Sequence, residues 1–194
     1  MQFIWIFVAF IAGALPLSLW IGFAAGHDIR LVGDGNPGAT NVFKAAGTGW
    51  GLFALSADFT KAAIPVGLAY QIFGWQDTPL IVLIALAPSL GHAFSPFLNW
   101  HGGKALATIG GAWIGLTLYT VPLLLMFSLT SLHFLVKPDS WAAIFSMVIA
   151  FIYLLIFDPN PYFLAVVVLQ IGLIMWTHRS EVLTVPIFKP LSSS

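Results

Sequence analysis

LATIGGAWIGLTLYTVPLLLMFSLTSLHF, residues 106–134, runs for 29 residues without an aspartate, glutamate, lysine or arginine. As one straight helix it would be about 43 Å long, against a hydrocarbon core of about 30 Å. Gly115, Thr117, Thr120 and Pro122 sit near its middle. The preferred reading is therefore two short helices joined by a tight turn, and the alternative is one long tilted helix. In both, the solvent is lipid. The rest of the chain agrees: of 194 residues, 59% are hydrophobic and 7% charged, where a soluble domain carries about 25% charged residues. So short a chain has too much surface to cover with so few charges, and the same scarcity excludes disorder.

Outward from this stretch, polar breaks divide the chain into spans near 3–25, 51–73, 80–90, 105–118, 120–134, 141–157 and 161–177. The expectation is an all-α, polytopic membrane protein of seven transmembrane helices, forming a single domain over residues 1–194. The first stretch lacks the charged start and small-residue cleavage site of a secretory signal, so it reads as a retained helix. Several spans are short, and their ends must draw on interfacial residues or a thinned bilayer. With seven spans, Arg30 and Lys44, Lys104, Lys137, and Arg179 with Lys189 fall on one side. The opposite connections, near 74–79, around 119 and at 158–160, have no lysine or arginine. The positive-inside rule then makes the basic side cytoplasmic, the N-terminus external and the C-terminus internal. Six spans would break that agreement. Ser192–Ser194 is a polar tail with no visible task.

The chain has no cysteine, so disulfides and thiolate chemistry are excluded. Its histidines are scattered without ligand spacing, and neither a metal nor another cofactor is expected. Net charge is zero and no basic run occurs, so nucleic acid is not expected as a partner.

The polar chemistry gathers on the basic side. GHDIRLVGDGNPGATNVFKAAGTG, residues 26–49, is far longer than a simple connection of 2–8 residues. Its glycines leave backbone N–H groups able to turn toward an anion. Gly33, Gly35 and Gly38 satisfy a dinucleotide-type glycine spacing, but the preceding element is a membrane helix rather than a strand. A small phosphorylated ligand fits better, and a wet loop with glycine turns is the plain alternative. GHAFSPFLNWHGGKALAT, residues 91–108, places Gly102, Gly103 and Lys104 before an apolar helix, the arrangement of an anion site with free helix N–H groups. His92 reads as acid, base or hydrogen-bond donor, and His101 as interfacial. Asp58 and Lys61, three apart, share a helix face; they read either as a structural ion pair or as positive potential for the site. Ser140 suits an N-cap before residues 141–157. His133 reads as structural. Basic residues such as Arg179 after the last span are expected from the helix dipole alone.

These motifs resemble those of the bacterial acyl-phosphate–dependent glycerol-3-phosphate acyltransferases, a seven-span membrane family. The resemblance lies in GALP (13–16), DIRLVGDGNPGATNVFK (28–44), DFTK (58–61), GHAFSPFLNWHGGKALAT (91–108), KPDSWAAI (137–144) and WTHRSE (176–181). It implies a multi-pass protein of the bacterial inner membrane with its active site toward the cytoplasm. The reaction implied is transfer of a fatty acyl group from acyl phosphate to the 1-hydroxyl of glycerol 3-phosphate, giving lysophosphatidate and phosphate without coenzyme A. By position, Gly33, Gly35, Asn36, Gly38, Thr40, Asn41, Lys44, Lys61, His92, Gly102, Gly103, Lys104 and Lys137 would surround substrate phosphate. Ser140, His178, Lys104, Asp34 and Glu181 take the positions nearest the chemistry.

The departures from the family pattern are specific. Asp34 stands where the family usually has serine, replacing a hydroxyl donor with a carboxylate. Lys44 and Lys137 stand for arginines, keeping charge but losing the bidentate fork. Ala105 replaces a glycine after Gly-Gly-Lys, and Glu181 replaces an asparagine. These changes leave two alternatives open: a catalytically weak or altered-substrate paralogue that binds lipid or a phosphorylated molecule, and a small transporter. The second lacks a clear inverted repeat or a discontinuous helix pair.

Overall fold

A computed structural model describes residues 1–188; Lys189 and Ser192–Ser194 lie outside the described residues. The chain is helical almost throughout, and among the described residues strands occur as one two-residue pair. Four segments are long and apolar enough to cross a membrane: Gln2–Ala24, Ala39–Ile72, Leu80–Leu98 and Asp139–Phe157. Three shorter apolar helices accompany them, Leu106–Thr117, Thr120–Leu135 and Pro161–Thr177. Large apolar side chains such as Phe3, Phe7, Phe53, Phe127 and Phe157 are exposed, which lipid tolerates and water does not. The chain is a multi-pass membrane protein.

Two compact units make up the chain, Met1–Leu116 and Thr117 onward. The first holds α1 (Gln2–Ala14), α2 (Leu17–Ala24), α3 (Ala39–Gly67, continued by a π turn to Ile72), α4 (Leu80–Ala93) and α5 (Leu106–Thr117, to its penultimate residue). Small residues set its packing. A Cβ on Gly13 would collide with the backbone of Pro88, and one on Gly91 with the carbonyl of Phe10, so α1 and α4 meet backbone to backbone. Gly111 and Gly115 do the same for α5 against Phe59 and Gly67 of α3. In lipid, where apolar burial gives helices no reason to associate, such close approach is a main source of packing energy. Gly91→Ala is expected to cost about 1–3 kcal/mol through overpacking. Gly172→Ala, where an added Cβ meets nothing within 4 Å, serves as control. Thermal unfolding in detergent compares the two, and equal midpoints would contradict this packing account.

The second unit holds α6 (Thr120–Leu135), α7 (Asp139–Phe157), α8 (Pro161–Thr177) and the short α9 (Arg179–Val182). Asn160 caps α8 by accepting from the Tyr162 N–H at 2.9 Å, with Pro161 at the first helical position, where its missing N–H costs nothing. Strands β1 (Val136–Lys137) and β2 (Ile187–Phe188) pair antiparallel, Val136 opposite Phe188. Trp141 Nε1 donates to the Thr184 carbonyl at 2.8 Å, so the segment after α9 is tied to the start of α7.

The charge-free stretch divides as its glycine, threonine and proline content suggests. Helix α5 ends at Thr117, Leu118 takes a left-handed φ of 58°, and α6 begins at Thr120. Other boundaries differ from expectation. The second span, expected from residue 51, starts at Ala39. Its first turns belong to what reads as loop, and the helix bends at Gly47, whose φ is 82°. Val42 and Ala39 are buried there with Leu19, Ile29 and Ala54, and this apolar contact holds residues 39–46 helical despite their polar neighbours. The third span, expected to end at 90, runs to Ala93 and takes in Gly91 and His92. The first is broken at Leu15–Pro16 into two helices, because proline supplies no N–H to continue it. Ser140 is not an N-cap: α7 begins at Asp139, two residues before the expected start at 141, and Ser140 lies in its first turn.

Candidate functional site

In the first unit, Gly33 and Gly35 adopt φ of 62° and 72° and turn the chain sharply about Asp34. Glycine is the residue that takes this conformation without strain. The turn presents the Asp34 carboxylate to three donors. The Asn36 N–H donates at 3.2 Å, Asn41 Nδ2 donates at 3.0 Å, and Lys104 Nζ stands 3.0 Å from the other carboxylate oxygen. Asn41 Nδ2 also donates to the Asn36 carbonyl at 3.0 Å, while Asn41 Oδ1 is buried without a hydrogen-bond partner. A Cβ on Gly33 would come within 2.8 Å of Lys44 Nζ, so a second ammonium overhangs the turn. Gly38 is the N-cap residue of α3 and Thr40 is exposed on its first turn. Burial pushes the Asp34 carboxyl up, but the Lys104 ammonium, the Asn41 amide and the Asn36 N–H outweigh it and hold the pKa at about 2. The group is an anion at any working pH. Nearby, Arg30 forms a two-pronged pair with Asp28, its Nε and Nη2 at 2.9 and 2.7 Å from the carboxylate oxygens.

The Gly102–Gly103–Lys104 segment is pinned to the end of α4. Gly102 N–H donates to the Ala93 carbonyl and Gly103 N–H to the His92 carbonyl, each at 3.0 Å. Gly103 has to be glycine, because a Cβ there would strike His92 Nε2. Beneath it lies a buried polar chain. Lys61 Nζ donates to the Leu15 carbonyl at 2.8 Å and to His92 Nδ1 at 2.9 Å. It also stands 2.8 Å from Asp58 Oδ1, a charge contact outside hydrogen-bond angles. Ser18 Oγ donates to Asp58 Oδ2 at 2.5 Å, and Ser95 Oγ to the Ala14 carbonyl at 2.6 Å. The Leu15–Pro16 break takes these two carbonyls out of the regular helical ladder, and the Leu15 carbonyl also accepts from the Leu17 N–H at 2.9 Å. An ammonium has donors and no acceptor, so His92 Nδ1 must accept and its proton sits on Nε2, the atom facing Gly103. In that state His92 is a fixed donor rather than a base. Lys61, expected to lend positive potential to a phosphate, is engaged by protein groups inside the helices. Ser18, Ser95 and the Leu15 carbonyl do not figure in the sequence reading; for the last, Pro16 is the signal that could have found it.

In the second unit, Ser140 is buried and its Oγ has no hydrogen-bond partner. His178 is buried at the end of α8, with Nδ1 3.1 Å from the Ile174 carbonyl. Thr177 Oγ1 stands at the same distance, 3.1 Å, from Nδ1. Lys137 pairs with Asp139, and His133 Nδ1 stands 3.2 Å from the same Asp139 oxygen. Glu181 is half-buried in α9. Among the described residues no group of three or more histidine, aspartate or glutamate side chains is placed to hold a metal ion.

Multiple apolar spans with a charge-paired, glycine-turned anion cradle define a multi-pass membrane protein with a candidate anion-binding site. The sequence model of the glycerol-3-phosphate acyltransferases matches residues 3–185, and the chain belongs to that family. It is thus an acyltransferase of lipid biosynthesis. Glycerol-3-phosphate acyltransferase 1 of Thermotoga maritima is 40% identical over 64% of this chain, an alignment spanning 62% of that protein's length. The Limosilactobacillus reuteri enzyme is 34% identical over 91% of this chain and 84% of its own, and the Bacillus velezensis enzyme 34% over 91% and 90%. The crystal structure of PlsY, an integral membrane glycerol 3-phosphate acyltransferase, in its glycerol 3-phosphate form superposes with a TM-score of 0.84. That match has 29% identity and covers 93% of this chain and 90% of that one. The lysophosphatidic acid form of the same enzyme matches with the same score.

Proposed function

We propose that this protein transfers a fatty acyl group from acyl phosphate to the 1-hydroxyl of glycerol 3-phosphate, releasing lysophosphatidate and inorganic phosphate. The observation that carries the reading is the convergence of Asn36, Asn41 and Lys104 on a single anion, since these are donors a phosphate monoester needs. Family membership and the likeness to structures holding glycerol 3-phosphate and lysophosphatidic acid support it. The acceptor hydroxyl attacks the acyl carbonyl, the carbonyl-to-phosphate bond breaks, and the hydroxyl proton leaves with the departing phosphate. Lys104 and the N–H groups of its loop stabilise charge as it develops. Lys44 and Thr40 flank the phosphate, and Lys61 and His92 act from beneath by fixing the Gly-Gly-Lys loop. The resemblance supports parts for Ser140, His178, Lys137 and Glu181 in orienting donor and acceptor. Residues 1–194 act as one catalytic domain, supported by a family match running through nearly all of the chain. The distribution of lysine and arginine supports seven spans with the N-terminus external and the reaction on the cytoplasmic side.

The test is direct. Purified protein in nanodiscs receives acyl phosphate and radiolabelled glycerol 3-phosphate, with acyl-coenzyme A in a parallel reaction. Labelled lysophosphatidate from acyl phosphate alone is the expected result. No product from either donor sinks the reaction, and equal product from both sinks the donor assignment.

A further inference from the structure

The donors gathered around Asp34 are already satisfied, and by a group of this chain rather than by a substrate. One carboxylate takes a backbone N–H, a side-chain amide and an ammonium, at 3.2, 3.0 and 3.0 Å. A phosphate monoester would present oxygens to the same three groups, with a charge of about −1.5 to −2. The two anions cannot hold all three donors together. Resting on the phosphate-binding reading above, we propose that Asp34 is an internal anion that occupies the cradle of Asn36, Asn41 and Lys104 in the resting protein. It leaves when a substrate phosphate arrives, and so sets the affinity for that phosphate.

Three observations support the exchange. The Asp34 side chain is about half exposed, so it has water to turn into, and the glycines on either side leave its backbone few steric limits. Its low pKa keeps it charged, so it competes as a permanent anion and does not withdraw by taking up a proton. Lys44 overhangs the same turn at Gly33 and supplies a second cation toward an incoming dianion that the single charge of Asp34 does not use fully. An internal ligand raises the apparent dissociation constant in proportion to the fraction of protein it holds closed. In return, Asp34 holds the Asn41 amide and the Lys104 ammonium in position when no substrate is present.

Asp34→Asn removes the charge and keeps the shape. Binding to the full chain in nanodiscs is measured by calorimetry in separate titrations with glycerol 3-phosphate, inorganic phosphate and a hydrolysis-resistant acyl phosphonate. At least one of the three is expected to bind about tenfold tighter than to the unsubstituted protein. The ligand that gains identifies which phosphate the cradle takes. If all three bind equally or more weakly, Asp34 is a positioning residue for Lys104 and the proposal is overturned. Asp34→Ser replaces the variant if Asp34→Asn does not fold, and failure of both to fold makes the ion pair structural and also overturns it. Product formation by the unsubstituted protein is read independently. Tightened binding without any lysophosphatidate removes the proposed reaction and leaves the role of Asp34 standing; robust turnover without tightening does the reverse.

Discussion

Lysophosphatidate formation in Lys104→Ala falls by about 10²–10³-fold in kcat/KM, the loss typical of removing one preorganised donor from a site of developing charge. Two effects add in the same direction. The substrate phosphate loses an ammonium, and Asp34, which faces Lys104 at 3.0 Å, is left as a carboxylate without its cation, repelling an incoming anion. The second effect is separable. In Lys104→Ala/Asp34→Asn the repulsion is gone while the ammonium is still missing, so activity recovers in part and stays well below that of the unsubstituted protein. The pair is then non-additive, as residues in direct contact should be. Steady-state kinetics of the four proteins, with each substrate varied in turn, measures this coupling. A Lys104→Ala variant within threefold of the unsubstituted protein would remove Lys104 from the chemistry.

That coupling lies beyond what periodicity reveals. Asp34 and Lys104 are far apart in the chain, and nothing in either local pattern says that a turn at Gly33–Gly35 meets the end of α4. The glycines made each loop legible as a possible anion site, because their freedom is a local property. Their meeting depends on α4 continuing past its expected end to hold Gly102 and Gly103 by their N–H groups. The charge-free stretch at 106–134 is legible for the opposite reason: its length against the bilayer and its central glycine, threonine and proline residues are local facts, and the break falls among them. Residues 39–46 mislead because they carry Thr40, Asn41 and Lys44 and lie between glycines at 38 and 47, which reads as loop, while burial of Val42 and Ala39 in a tertiary contact makes them helix. At Ser140 a cap reading puts the helix start two residues late, and no sequence signal says that its hydroxyl is buried without a partner.

The charge pair at Asp58 and Lys61 was legible as a pair, but not as the support of anything else. Its geometry makes the largest stability prediction. Both side chains are almost fully buried, at 2% and 3% exposure, and removing one member of a buried pair leaves an uncompensated charge. Lys61→Met is expected to destabilise the protein by about 3–5 kcal/mol, read as a lower thermal midpoint in detergent. Asp58→Asn/Lys61→Met takes away both charges and is expected to recover most of that loss, since replacing a whole buried pair is often neutral. A second readout separates this from simple packing damage. Lys61 is what makes His92 Nδ1 an acceptor and places the proton on Nε2, so in either variant that constraint is lifted. Nitrogen NMR of labelled histidine should show a single His92 tautomer in the unsubstituted protein and a mixture in the double variant. If the double variant is stable and His92 keeps its single tautomer, the ammonium does not orient the ring, and the path from the buried pair to Gly103 is broken at that step. If the tautomer is lost and kcat/KM falls while the fold is retained, the buried charges act on the reaction through the loop that carries Lys104.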